Sequence, residues 1–313
     1  MATSPNTPSP DLSGGFHAIL ATPFDDRDQV DTEDMAACAR FYEEKGAQGV
    51  VALAVAGEGT KLDEAERRTV IREVLGAVHV PVTVGVSAPS LHLVTRRIEE
   101  ALTLGARAVL LAPSAGMTPE VIFDLFMGAA AVGAPIVLQD YPQGTGVTMS
   151  VPLIRRIIEA AQGAVVAVKN EAPPTGVRTR EIREATVGAP ISVFGALGAL
   201  AILDEMDEGA SGTMTGFAFP EVLVELVRAH QGGDRERARE LYEAFLPQLV
   251  FEATPVFSFQ IRKEFLRLRG VMKRSALRRP CMTMDEALTR RAEELKDAFH
   301  AVWGKTHAAP SGT

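Results

Sequence analysis

Short apolar runs alternate with amphipathic segments along most of this chain. The runs Phe16–Thr22, Gly49–Ala54, Val80–Val86, Ala108–Ala112, Pro135–Asp140, Ala164–Lys169, Ile191–Gly195 and Ser211–Thr215 are apolar at successive positions. That is the signature of parallel strands covered by helices on both faces. Between them, Thr32–Lys45, Asp63–Ala77, Ser90–Leu104, Thr118–Val132, Val151–Ala161, Arg178–Ala185, Leu197–Glu208 and Pro220–His230 carry apolar positions three and four apart, the period of a helix. Asp63 and Glu66 have capping-box spacing, Thr118-Pro119 suits an N-cap followed by proline, and Gly46, Gly105 and Gly133 stand where helices should stop.

Eight strands alternating with eight helices predict an α/β fold, a single (β/α)8 TIM barrel over residues 15–231. The pattern then changes. Asp234–Leu249, Pro255–Arg269 and Met284–Val302 are helical without intervening strands, which predicts a C-terminal three-helix extension over residues 232–303. Residues 1–14 and 304–313 read as flexible tails, and the first of them lacks the basic and apolar regions of a signal peptide.

Charge and composition narrow the possible partners. The net charge of −8, with no long basic run, argues against nucleic acid and an anionic membrane surface. No run approaches the length of a membrane span. The two cysteines, Cys38 and Cys281, fit no zinc spacing, and a reducing cytoplasm is the simplest compartment. The six histidines form no local ligand pair, so no catalytic metal is expected.

Lys169 carries the chemistry. It ends the run Gly163-Ala-Val-Val-Ala-Val-Lys169, a lone cation closing an apolar strand. Burial costs an ammonium its solvation, so such a lysine pairs, reaches water or sheds its proton. The deprotonated amine is a nucleophile that forms a Schiff base with a carbonyl substrate. Strand-end placement at the C-terminal mouth of a barrel puts Lys169 where barrel enzymes work. The other strand ends bring Val55, Ala56, Gly57 and Glu58 after strand two, Gln139 and Tyr141 at strand five, Glu171 after strand six, Gly195 on strand seven and Thr213 on strand eight. These are the expected substrate-binding positions, with Lys169 and Tyr141 the expected catalytic pair. Glu58 has a second reading, as a residue that structures its loop. Asp140 should point away from the face that Gln139 and Tyr141 share.

An ordered set of phrases resembles the dihydrodipicolinate synthase/N-acetylneuraminate lyase family: Thr22-Pro23-Phe24, Gly57-Glu58 followed by Leu62-Asp63-Glu64-Ala65-Glu66-Arg67, Pro142 with Thr145-Gly146, Val168-Lys169, Gly209-Ala210-Ser211-Gly212 and Arg279-Pro280. The resemblance implies a pyruvate-type Schiff base on Lys169, aldol addition, aldol cleavage or dehydration of 2-oxo acids, no cofactor and a homotetramer or dimer.

The departures from that pattern are as informative. Val55 and Ala56 stand where the family has two threonines, Gln139 where it has a tyrosine, Ala115 where it has a tyrosine lent across a dimer contact, and Gly144 where an arginine is frequent. Backbone amides at Ala56 and Gly57 are left to hold the substrate carboxylate, and Tyr141 is left to move protons from a new position. Lysine-biosynthetic dihydrodipicolinate synthesis is therefore not expected. The expectation is a pyruvate-dependent aldolase or retro-aldolase with an aldehyde co-substrate or product. The alternatives are a dehydratase of a hydroxylated 2-oxo acid and a non-catalytic paralogue.

Overall fold

The computed structural model describes residues 12–306. Strands β1 (Gly15–Ile19), β2 (Gly49–Ala52), β3 (Val82–Gly85), β4 (Ala108–Leu111), β5 (Ile136–Asp140), β6 (Val165–Asn170), β7 (Ser192–Gly195) and β8 (Gly212–Thr215) pair in parallel, each with the next in sequence. Pairing of Phe16 with Thr213 and of His17 with Met214 closes the barrel.

The strands are buried along nearly their whole length, which is why the sequence shows them as continuous apolar runs rather than alternating ones. Inward-facing Ile19, Val51, Ala108, Leu110, Val137, Ala167, Phe194 and Met214 fill the barrel. Leu12 joins this interior cluster, so the segment read as a tail is already packed at that residue. The rest of both tail readings, residues 1–11 and 307–313, lies outside the described residues.

Helices α1 (Thr32–Glu44), α2 (Glu64–Ala77), α3 (Leu91–Leu104), α4 (Pro119–Ala130), α5 (Pro142–Thr145), α6 (Val151–Ala160), α7 (Thr175–Ala185), α8 (Ile202–Asp207) and α9 (Pro220–Gln231) connect the strands and form the outer layer. Asp63 and Glu66 complete the capping box at the start of α2, with Asp63 accepting from the N–H of Ala65 and Glu66. Thr118 caps α4, and Ser90 and Ser150 cap α3 and α6. The segment read as one helix from Leu197 is instead a 3₁₀ turn, Leu197–Ala199, followed by the short α8. Left-handed backbone at Leu197, Gly198 and Ala199 breaks the helical path.

The extension comprises α10 (Arg235–Glu252), α11 (Ser258–Leu268) and α12 (Glu286–Thr306). Phe219 at the start of α9 meets Phe265 of α11 and Phe299 of α12 at ring distances of 4.9 and 4.3 Å. The Arg269 guanidinium lies over Phe219 and Phe299 while pairing with Glu221 at 2.6 Å. Aromatic burial and a desolvated cation thus fix the extension against the barrel.

Candidate active site

Strand register places the central groups. Val137 and Ala167 face each other inside the barrel, and Gln139 and Lys169, two residues further on, are likewise paired partners. The period of two therefore stands both side chains on the interior face one layer nearer the mouth. The intervening residues face the helices. Asp140 pairs with Arg178 of α7 at 3.0 Å, and Asn170 donates to the Thr175 carbonyl and the Thr179 hydroxyl. Asp140 points away from the Gln139 face, as alternation requires. These outward contacts tie the ends of β5 and β6 to α7.

Lys169 Nζ donates to Glu171 Oε2 at 2.6 Å, and Gln139 Nε2 donates to the same oxygen at 2.6 Å. The side chains of Lys169 and Glu171 are 5% and 8% exposed, so the pair is held in a largely dry environment. Backbone geometry fixes Glu171, whose N–H donates to the Asp140 carbonyl at 2.8 Å.

The three residues open into a cavity of about 600 Å³ at the barrel mouth. Val55, Ala56 and Tyr141 also line it. Burial, reinforced by the negative charge of Glu171, raises the Tyr141 phenol above its ordinary value, so the ring holds its proton. A solvent-open depression on the outer layer, between α2 and α3, gathers Arg68, Arg72, His92 and Arg96 and is separate from these groups.

Four of the expected binding residues do not line the cavity, each for a local reason. The Gly57 N–H is spent on the Ala54 carbonyl at 3.0 Å within the 3₁₀ turn Val55–Gly57, and the Gly57 carbonyl accepts from Thr22. Val55 and Ala56 are the part of that turn that reaches the cavity. Glu58 turns into the protein, accepting from Lys263 Nζ at 2.7 Å, Lys61 Nζ at 3.1 Å and the Arg278 N–H at 3.0 Å. Gly195 follows the inward Phe194, so its open side faces the Glu205 carboxyl in the helix layer. Thr213 precedes the inward Met214 and donates to the Gly195 carbonyl at 3.2 Å.

Other lining residues were not among the expectations. Thr215, Gly216, Leu197 and Gly198 come from the ends of β8 and the turn after β7. Glu252, Ser258, Phe259 and Arg262 come from the extension. Phe259 is part of this wall. Periodicity marks the apolar face of α11 through Ile261 and Phe265, but nothing local reveals that the neighbouring Arg262 is buried.

Among the described residues, no group of three or more His, Cys, Asp or Glu side chains is gathered to hold a metal ion. No described helix is long and apolar enough to cross a membrane.

Fold and site together define a TIM barrel whose mouth presents a lysine amine beside a carboxylate and a phenol. The chain belongs to the dihydrodipicolinate synthetase family, which it matches over residues 12–299. It is 28% identical to an L-2-keto-3-deoxyarabonate dehydratase of Azospirillum brasilense over 288 residues, covering 89% of this chain and 91% of the relative. It is 30% identical to a 4-hydroxy-tetrahydrodipicolinate synthase of Methanopyrus kandleri over 262 residues, 77% of this chain and 83% of the relative. Among solved structures, the dihydrodipicolinate synthase of Rhodopseudomonas palustris superposes with a TM-score of 0.85 at 32% identity, covering 91% of this chain and 97% of that one.

Proposed function

We propose that this protein is a Schiff-base lyase that removes water from a hydroxylated 3-deoxy-2-oxo acid. The observation that carries the reading is the Glu171 carboxylate held 2.6 Å from Lys169 Nζ by a second donor, Gln139, in a cavity that also contains the Tyr141 phenol.

Glu171 is placed to accept the proton that Lys169 sheds, freeing the amine to attack the C2 ketone. Glu171 returns that proton to the carbinolamine hydroxyl, which leaves as water and gives the iminium. The same carboxylate, beside the new C=N bond, removes a C3 proton to give the enamine. The enamine electrons re-form the iminium side of the system as the C4–O bond breaks, and Tyr141 gives its proton to the departing hydroxide, which leaves as water. Hydrolysis then returns the amine and the dehydrated 2-oxo acid. N–H groups at Val55 and Ala56 serve the substrate carboxylate, with Gly57 withdrawn from that role by its bond to Ala54.

Aldol cleavage to pyruvate and an aldehyde passes through related intermediates but needs a base at the C4 hydroxyl. The Tyr141 phenol, raised by burial and by Glu171, holds its proton and so enters the cycle as a donor rather than as a base. This protonation state supports the elimination reading over cleavage. Similarity to a relative named as a 2-keto-3-deoxyarabonate dehydratase supports the same order.

The test has two arms. Incubation with pyruvate and borohydride followed by intact-mass measurement should give an adduct in wild type and none in Lys169→Ala; an undiminished adduct in the variant overturns the imine. Product analysis with hydroxylated 3-deoxy-2-oxo acids should then give a product lighter by one water; pyruvate plus aldehyde would establish the aldolase instead.

A further inference from the structure

The C-terminal extension contributes one charged pair to the cavity that the chemistry above does not use. Arg262 of α11 and Glu252 of α10 are buried together, their side chains 7% and 3% exposed, with Arg262 Nε donating to Glu252 Oε1 at 2.6 Å. The other carboxylate oxygen accepts from the Ala218 N–H at 2.9 Å. The terminal Nη1 and Nη2 of Arg262 have no acceptor among the described residues, and the residue lines the cavity. The guanidinium lies directly on the end of β8, where a Cβ on Gly216 would overlap Nη1 and Cζ.

We infer that Arg262, seated on Gly216 and oriented by Glu252, is the specificity-determining residue for the distal part of the substrate, and that it selects an uncharged hydroxylated tail. The inference rests on the proposed site, and it names which 2-oxo acids that site prefers. A guanidinium with free N–H groups in a buried wall calls for oxygen acceptors, because leaving its donors unmatched costs a desolvated charge. Its charge, however, is already answered by Glu252. The cavity carries Lys169 and Arg262 against Glu171 and Glu252, so its lining charges balance. A second substrate carboxylate would enter an environment with no net positive charge to repay its desolvation. Hydroxyls accept from Arg262 at much smaller cost, and the hydroxyl-bearing Thr215 and Ser258 line the same space. Phe259, Pro255 and Val256 also line this space.

Equilibrium binding of 2-hydroxy acids tests this without imine chemistry, because they have no ketone. Three five-carbon ligands should be titrated calorimetrically into the wild-type protein: 3-deoxypentonate with its hydroxyls, 2-hydroxypentanoate without them, and 2-hydroxyglutarate with a tail carboxylate. The 3-deoxypentonate is expected to bind roughly 10-fold or more tighter than either, the span of hydrogen bonds to a charged group. In Arg262→Lys, which keeps a cation for Glu252 but loses the planar donors, that preference should collapse; Gly216→Ala, which displaces the guanidinium, should erode it too. Because each readout is a ratio within one protein, a general loss of folding cancels. Tightest binding of 2-hydroxyglutarate, or an unchanged ratio in both variants, overturns the inference. Failure of borohydride trapping would instead sink the imine reading and leave this ratio meaningful.

Discussion

The ring of Tyr141 lies across Gly144, so closely that a Cβ at position 144 would overlap Cε1 and Cδ1 of the ring. Two departures from the family pattern therefore meet in space: Tyr141, the residue before Pro142, occupies the room that a side chain at position 144 would need. Gly144→Ala should push the ring out of the cavity, and Gly144→Arg should do so more strongly. Both should lower kcat by a factor approaching that of Tyr141→Phe, which is expected to cost roughly 10²–10⁴-fold, the usual worth of a positioned acid. Trapping of the pyruvate imine should persist in all three. Steady-state kinetics beside borohydride trapping would separate the effects, and unchanged kcat in Gly144→Arg would remove Tyr141 from the mechanism.

Glu171 is expected to matter twice, once in freeing the amine and once at C3. Glu171→Gln keeps the size of the side chain but cannot take a proton, and it leaves the Lys169 ammonium facing a neutral amide. Turnover should fall by roughly 10²–10⁴-fold, and the rate of imine formation should fall with it. Rapid-quench trapping across pH measures the second effect. A normal trapping rate with lost turnover would confine Glu171 to the C3 step.

The parts of this architecture visible in the sequence are those dictated by local periodicity. Parallel strands covered on both faces must be apolar throughout, so Val165–Val168 and Ala108–Leu111 announce themselves, and Lys169 stands out because nothing else in its strand is charged. The capping box of Asp63 and Glu66 is local in the same sense. The extension's share of the cavity is not. Arg262, Lys263 and Glu264 are three consecutive charges, residue types that ordinarily stay in solvent, yet all are buried. Arg262 is answered by Glu252 and Lys263 by Glu58, some two hundred residues away. Such burial is stable only through partners that the chain brings together in three dimensions. The engagement of the Gly57 amide by the Ala54 carbonyl in a 3₁₀ turn is likewise invisible in the local sequence.

Glu58 is therefore expected to act on stability rather than on substrate. Its carboxylate joins the turn after β2 to α11 through Lys263, whose side chain is fully buried and lies over the Phe24 ring at 4.5 Å. Burial already pulls the Lys263 ammonium below its ordinary value, with Glu58 pulling it back. Glu58→Gln leaves that cation unanswered and should cost about 3–5 kcal/mol, typical for breaking one side of a buried pair. Adding Lys263→Met should recover part of the loss, because the residues are directly coupled. Urea unfolding of the two single variants and the double variant measures the coupling; strict additivity would mean that the ion pair contributes nothing.

Glu205 should set part of the pH dependence of stability. Its carboxyl is buried against the Gly195 backbone, and neither oxygen completes a well-formed hydrogen bond among the described residues. Burial pushes it up from 4.5 to about 7, against the pull of the nearby Thr175 hydroxyl and Ala196 N–H and with the added push of Glu171. The folded value lies above the unfolded one, so folding favours the neutral acid. Its cost to stability is absent below the unfolded value, grows as pH rises from about 4.5 to about 7, and is constant above that. The full shift corresponds to about 3 kcal/mol at the plateau. Glu205→Gln, which keeps the shape and removes the titration, should be more stable than wild type at pH 8 and lose that advantage toward pH 4. Unfolding free energies of both proteins over this range give the difference directly. A difference independent of pH would mean that Glu205 has the same proton affinity folded and unfolded, and that its burial is compensated in the native state.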